Sequence, residues 1–310
     1  MIIVTGTIAY DYIMDFPGKF GDHILPDQIH KINLSFIVNK FVRRRGGTAG
    51  NTSYTLGLLK TKQILFSCAG KDFGEYKKDF KKLDISTKYV KVISNILTAT
   101  GFVMTDKSDN QIWGYFYGAT EHVAKLKLNT VAKKNDIVHI GPAGVKGSMS
   151  FIRQCIRQKL NYMFDPGFIL TSVNDEDLEL GVKHCKYLIG NDYEITLTKN
   201  RLKNWKSLFK DKIVITTLGE KGALIETDEQ NIQIKAAKPK KVVDPTGAGD
   251  AFRAGFLTGT NKGFNLKICG QMGAVAASFA VEEYGTQGFY FTLQQFKNRY
   301  RQNYHSVLKL

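Results

Sequence analysis

VVDPTGAGDAFRAGF runs from Val242 to Phe256. Two valines, read as the end of a strand, lead into a turn with two glycines, an alanine and two aspartates. An apolar helix is predicted from about Ala251 onward. With so little side chain at a helix start, the backbone N–H groups of Gly247, Ala248 and Gly249 stand open. Such amides bind anions, and phosphate is the anion expected here. No GxxxxGK followed by Ser or Thr occurs, so the turn is not a P-loop. Asp250 would repel a resting phosphate. Its place makes sense if it accepts the proton of a hydroxyl attacking that phosphate, while the amides hold the charge that develops. General-base action of this kind is worth about 10² to 10⁴ in rate. A plain tight turn with an aspartate cap uses the same residue types, but the complete string D-x-T-G-A-G-D-A-F is far more specific.

Outward from this turn the chain alternates. Ile2-Ile3-Val4 reads as a buried first strand, and Thr48 to Leu59 as a helix after Gly46-Gly47. QILFSCAG reads as a strand, and Phe73, Tyr76, Phe80 and Leu83 recur at helical spacing. GFVMT and QIWGYFY flank the turn formers DKSDN and predict a hairpin. DIVHI, NYMFD, KYLIG and KIVITT are strands, with a helix from about Ser148; GALIET and NIQIKA suggest a second hairpin. Ile268, Met272, Val275 and Phe279 make a helical stripe with Asn265 as N-cap and Gly285 just past the end. This pattern is α/β: a mainly parallel sheet flanked by helices on both faces. Ligands of such sheets bind beyond the carboxyl ends of the strands. Two segments differ, about 12–43 and 98–120. The first shows half-exposed alternation at Ile32, Leu34, Phe36 and Val38. Together they are expected to form a small β-sheet lid on one domain spanning 1–310.

The chain has 310 residues, 43% hydrophobic and 23% charged, an ordinary globular composition. No apolar run reaches the about 20 residues of a membrane helix, and the N-terminus lacks the features of a signal peptide. Cys68, Cys155, Cys185 and Cys269 form no CxxC pair and read as reduced, buried thiols of a cytoplasmic protein. The formal charge of +16 comes from lysines spread along the whole chain. They read as a solvated surface rather than a nucleic-acid patch.

DPTGAGDAFRAGF resembles the C-terminal signature of the ribokinase-like (PfkB) family of carbohydrate and nucleoside kinases. The resemblance covers essentially the whole chain. GTIAYD (6–11), GGTAGN (46–51), GKDFG (70–74), NDYE (191–194) and TLGEKG (217–222) follow in the family's order. It implies a ribokinase-like fold and phosphoryl transfer from ATP, with Mg²⁺, to a hydroxymethyl group. By this resemblance Asp250 is the catalytic base, and Gly247, Ala248 and Gly249 form the anion hole. Asp11 is similar to the acid that hydrogen-bonds vicinal sugar hydroxyls; a site built to do so rejects analogues lacking them. Gly46 and Gly47 would let the backbone approach the sugar. Asn51 would bond a hydroxyl or simply cap its helix. Asn191 and Glu194 resemble the NxxE pair that organises Mg²⁺, usually through water. Thr217, Gly219 and Gly222 resemble the nucleotide-holding turn, although alone they could be a hairpin. Asp244 and Thr246 sit where related enzymes bind a monovalent cation such as K⁺. The role of Asp165 stays open.

The acceptor is less determined. Thr48 and Ala49 follow the di-glycine where ribokinases proper often have Lys-Gly. The lid hairpin carries Trp113, Tyr115, Phe116 and Tyr117. Aromatic faces stack a base at about 1–3 kcal/mol, and Phe116 is assigned to the substrate on that basis. A small sheet must also bury one face, which aromatics do equally well. GYFYGATEH, FDPG and the signature with Pro245 in place of the usual Thr are similar to a prokaryotic branch of nucleoside and adenosine-kinase-like proteins. Arg43-Arg44-Arg45 could meet a sugar phosphate or be a solvated strand end. Three readings therefore stand: a nucleoside kinase acting on the 5′-hydroxyl, a sugar or sugar-phosphate kinase, and a non-catalytic basic binding protein. No membrane partner is expected. The exposed lid edge could pair with a second chain in a homodimer or be capped within one chain.

Overall fold

Ile2 to Thr5 are all buried and form β1 (Ile2–Thr5). A strand enclosed on both faces belongs inside a helix-covered parallel sheet. The computed structural model describes residues 1–31, 33–108 and 110–310. After β1 the chain forms β2 (Ala9–Asp15), β3 (Lys40–Gly46), α1 (Thr48–Leu58), β4 (Gln63–Leu65), β5 (Cys68–Gly70), α2 (Gly74–Lys82) and β6 (Lys91–Ile93). The hairpin β7 (Ala99–Thr105) and β8 (Gln111–Phe116) follows. Strand and helix then alternate through β9 (Ile137–Ile140), α3 (Gly144–Gln158), β10 (Asn161–Phe164), α4 (Asp175–His184) and β11 (Tyr187–Asn191). Next come α5 (Asp192–Arg201), α6 (Trp205–Phe209), β12 (Ile213–Thr217), β13 (Ala223–Glu226) and β14 (Asn231–Ile234). The chain closes with α7 (Ala248–Asn261), α8 (Leu266–Ala280) and α9 (Leu293–Tyr304).

The main sheet runs β14-β13-β12-β11-β10-β9-β1-β4. The six strands from β12 to β4 pair in parallel, and the hairpin β13–β14 is added antiparallel at one edge. Alternate side chains feed two apolar layers. Ile2, Val4, Met163 and Ile189 pack with α1, α7 and α8 on one side, while Ile3, Phe164 and Leu188 pack with α3 and α4 on the other. α7 is nearly all buried; each fully enclosed side chain, such as Phe256 or Leu257, contributes about 1.5–3 kcal/mol. It lies close against α8: a methyl at Gly273 would stand 2.9 Å from the Phe252 carbonyl oxygen. Asn265 caps α8 by accepting from the Ile268 amide.

A separate four-stranded sheet has the order β3-β2-β7-β8. β2–β3 and β7–β8 are antiparallel and β2–β7 parallel. Five expectations need correction. Residues 33–38 form no strand, and Ile32 lies outside the described residues, as does Asp109 of the hairpin turn. The strands that pair are Ala9–Asp15 and Lys40–Gly46, so Asp11 belongs to the small sheet. Val242 and Val243 are not a strand end: they are 71% and 46% exposed, and the Val243 amide donates to the Val281 carbonyl. α8 ends at Ala280 with Val281 as its cap, so Gly285 is no helix terminator. QILFSCAG divides into β4 and β5, in different sheets.

Candidate active site

The C-terminal ends of the parallel strands gather the polar residues. Asp165 follows β10, Asn191 ends β11 and Thr217 ends β12, paired in register with Asn191. Beside them α7 begins. Gly247 caps it with φ 83°, a left-handed conformation that costs any residue with a Cβ about 1–2 kcal/mol. The Ala248 amide donates to the Pro245 carbonyl at 3.2 Å, so it is not free for an anion. Among the described residues the amides of Gly247, Gly249 and Asp250 have no protein partner. Relative to the expected set, Gly247 and Gly249 stay open and Asp250 takes the place of Ala248.

Asp250 accepts from Asn51 Nδ2 at 2.8 Å. Burial pushes its carboxyl up to about 6; Arg253 and the Asn51 hydrogen bond oppose the rise, while Asp165 and Glu194 add to it. Arg253, one helical turn along α7, pairs with Asp165 at 2.6 Å through Nε and 2.7 Å through Nη2. Both are almost wholly buried. Burial works to raise Asp165, but Arg253 and His139 outweigh it and hold the carboxyl below its ordinary value. His139 Nε2 stands 3.5 Å from the same carboxylate. A methyl at Gly249 would come within 2.7 Å of Arg253 Nη1, so the guanidinium lies directly under the turn. Arg253 lies within the string DPTGAGDAFRAGF, where its residue type alone points to no role. Its spacing, one turn after Asp250 on the same face, is the signal that could have found it.

Asn191 and Glu194 form a capping box at the start of α5, each side chain bonding the other's amide at 2.8 Å. Glu194 is raised, first by burial and then by Asp165. One of its oxygens is engaged, leaving the other for a water shell. Among the described residues no three His, Cys, Asp or Glu side chains group to hold a metal ion by themselves. Gly219 and Gly222 both have positive φ in the turn before β13. Asp244 accepts from the amides of Thr246 and Gly285, both at 2.9 Å, which ties the turn to the 281–288 loop.

Asp11 lies on the small sheet between two glycines. A methyl at Gly101 would come within 2.8 Å of Asp11 Oδ1, and one at Gly46 would collide with the carboxylate outright. Burial pushes this carboxyl up to about 6. Gly47, with φ 84°, caps α1, and the Ala49 amide donates to the Thr7 carbonyl at 3.0 Å. A cleft of about 520 Å³ runs from Asp11, Ile13, Val103 and Trp113 to Asp244 and Thr246. Strand parity sorts the aromatics of the small sheet. Gly101 pairs with Tyr115 and Val103 with Trp113, so Tyr115 and Trp113 share the face of Asp11. Phe116 pairs with Thr100 on the opposite face and is 45% exposed there. The assignment of Phe116 to the substrate is corrected accordingly. Tyr115 packs instead on Phe168 of the main body, ring centres 5.7 Å apart.

The three arginines of β3 also alternate. Arg43 covers the Tyr10 ring and pairs with Glu75 at 2.9 Å. Arg45 pairs with Asp79. Only Arg44 faces the cleft, and among the described residues it has no ion-pair partner.

The model of the pfkB family of carbohydrate kinases matches residues 12–291. The chain belongs to this family. It is an ATP-dependent kinase that phosphorylates a hydroxyl group. A nucleoside kinase of Methanocaldococcus jannaschii is 33% identical over 290 residues, 92% of each chain. The nucleoside kinase of Burkholderia thailandensis in complex with inosine superposes with a TM-score of 0.90 at 28% identity, covering 99% of this chain and 100% of that one. Its complex with ADP-inosine gives a TM-score of 0.87 at 31% identity, over 100% and 98%. The fold is thus ribokinase-like, a largely parallel sheet flanked by helices with a small separate sheet. No helix among the described residues is long and apolar enough to cross a membrane.

Proposed function

We propose that this kinase transfers the γ-phosphoryl group of ATP to the 5′-hydroxyl of a nucleoside. The observation that carries the reading is Asp250, held by Asn51 beside the amides of Gly249 and Asp250 itself, which have no partner among the described residues. A carboxyl near 6 is ionised at neutral pH yet basic enough to take the hydroxyl proton. The amides then meet the transferred group's negative charge as it develops, with Arg253 beneath them. Asp11 would bind the ribose diol, and Gly46 and Gly47 leave room for it. Trp113 and Tyr115, on Asp11's side of the lid, offer a face to the base. The inosine bound to the B. thailandensis relative supports the nucleoside reading. Thr217, Gly219 and Gly222 would hold the nucleotide.

Mg²⁺, when bound with ATP, would neutralise phosphate charge. The donor set fits it: Glu194 keeps one free oxygen beside the capping box, and Mg²⁺ retains several waters. Asp244 and Thr246 would serve a monovalent cation, for which each Asp244 oxygen keeps a lone pair beyond its amide bond. The small sheet would act as a lid on a single domain and join two chains as a homodimer. Four free, buried cysteines suit the reducing cytoplasm.

The test is initial-rate ADP formation with Mg·ATP and inosine, adenosine, guanosine, cytidine, ribose or fructose 6-phosphate. Turnover concentrated on nucleosides is expected. Preference for fructose 6-phosphate would overturn the nucleoside reading and turn attention to Arg44, which lines the cleft and has no ion-pair partner among the described residues.

A further inference from the structure

Asn51 is itself held from behind. Gln287 Nε2 donates to Asn51 Oδ1 at 2.9 Å and to the Tyr76 hydroxyl at 2.6 Å. Tyr76 in turn donates to the Gly46 carbonyl at 3.0 Å. Gln287 Oε1 accepts from Arg45 Nε at 3.3 Å, and Arg45 pairs with Asp79 on α2. Gln287 is 7% exposed, so each of its polar atoms must find its partner inside the protein. Gly50 makes room for this network, since a methyl there would collide with the Tyr76 hydroxyl.

The polarity of the chain of bonds follows from one end. A guanidinium only donates. Arg45 therefore turns the Gln287 oxygen toward itself and the Gln287 amide nitrogen toward Asn51. Asn51 must then present its oxygen to Gln287 and its nitrogen to Asp250, whose carboxylate form only accepts and is favoured by that bond. We propose that Gln287 is a positioning residue for phosphoryl transfer: by fixing the Asn51 amide, it holds Asp250 in the orientation and protonation state of a base. This rests on the reading of Asp250 as that base. The other charged groups facing Asp250 are Arg253 on its own helix, Asp165 after β10 and Glu194 on α5. Among the described residues none of these hydrogen-bonds Gln287, so the Asn51 path can be varied separately. The same glutamine reaches Gly46, next to Asp11, through Tyr76. It thus ties the acceptor glycines and the base to one buried amide.

The test compares Gln287→Leu and Gln287→Glu with wild type in steady state, using inosine and Mg·ATP across about pH 5 to 9. Glutamate keeps the size and the Arg45 contact but cannot donate to Asn51. Loss of the fixed geometry is expected to lower kcat about 10- to 100-fold in both variants. KM for ATP should stay unchanged, and the acid limb of the kcat profile should move to higher pH. In an Asn51→Ala background Gln287→Leu should change kcat by less than about twofold, because the residue through which it acts is gone. Wild-type kcat and pH profile in both single variants would overturn the proposal. So would an equal loss with and without Asn51. Asp250→Asn separates the two readings: high turnover there means the base assignment has failed, whereas an inactive Asp250→Asn beside normal Gln287 variants means only the positioning role has failed.

Discussion

Asp11 and Asp250 are both raised to about 6 by burial, yet their neighbours assign them different work. Asp11 has glycines on either side and an open cleft before it; Asp250 has an amide donor and a guanidinium. Removing Asp11 should therefore act on acceptor binding. Asp11→Ala is expected to raise KM for the nucleoside about 10- to 100-fold, the worth of hydrogen bonds to a charged group, with KM for ATP unaltered. An unchanged nucleoside KM would show that Asp11 does not hold the sugar. Both aspartates could be proposed from the sequence because each stands in a short local string. Gln287 was not: it lies 236 positions from Asn51, and nothing near it in sequence marks it. Phe116 was misassigned for a different reason. Four neighbouring aromatics were treated as one surface, although a strand's period of two puts Trp113 and Tyr115 on one face and Phe116 on the other.

At the scale of elements, α7 carries the turn proposed for catalysis and is locked to the end of β10 by the Arg253–Asp165 pair. Breaking a buried pair leaves an uncompensated charge. Asp165→Asn should destabilise the fold by about 3–5 kcal/mol in denaturant unfolding. Asp165→Leu with Arg253→Met should recover much of that stability while leaving turnover low. Wild-type stability in Asp165→Asn would mean the pair is not structural. The alternating strands and helices were readable because their apolar runs are buried on both faces, as in Ile2-Ile3-Val4. Val242-Val243 has the same composition and none of the burial. It crosses the surface beside the end of α8, held by hydrogen bonds to Val281. Composition cannot separate these cases; only the packing around them does.

At the scale of the molecule, the small sheet turns one face to the cleft and the other to solvent. Phe41, Phe102, Ile112 and Phe116 are all exposed on that outer face, and Tyr12 stacks between Phe41 and Phe102. Apolar side chains so grouped suit a second copy of the chain. Wild type should sediment as a dimer and Phe102→Asp as a monomer; a monomeric wild type would remove the homodimer from the account. The small sheet was legible as two odd segments, but its borders were not, because its first strand begins inside the motif that carries Asp11. The central claim is that a carboxylate on α7 takes the proton of the attacking hydroxyl. It is tested most directly by kcat with inosine against pH, for wild type and Asp250→Asn. Since the base must be ionised, kcat should rise with pH through about 6 and then level off. Asp250→Asn should bind ATP normally and lose at least about a hundredfold in kcat at every pH. A flat wild-type profile with near-normal turnover in the variant would contradict the account.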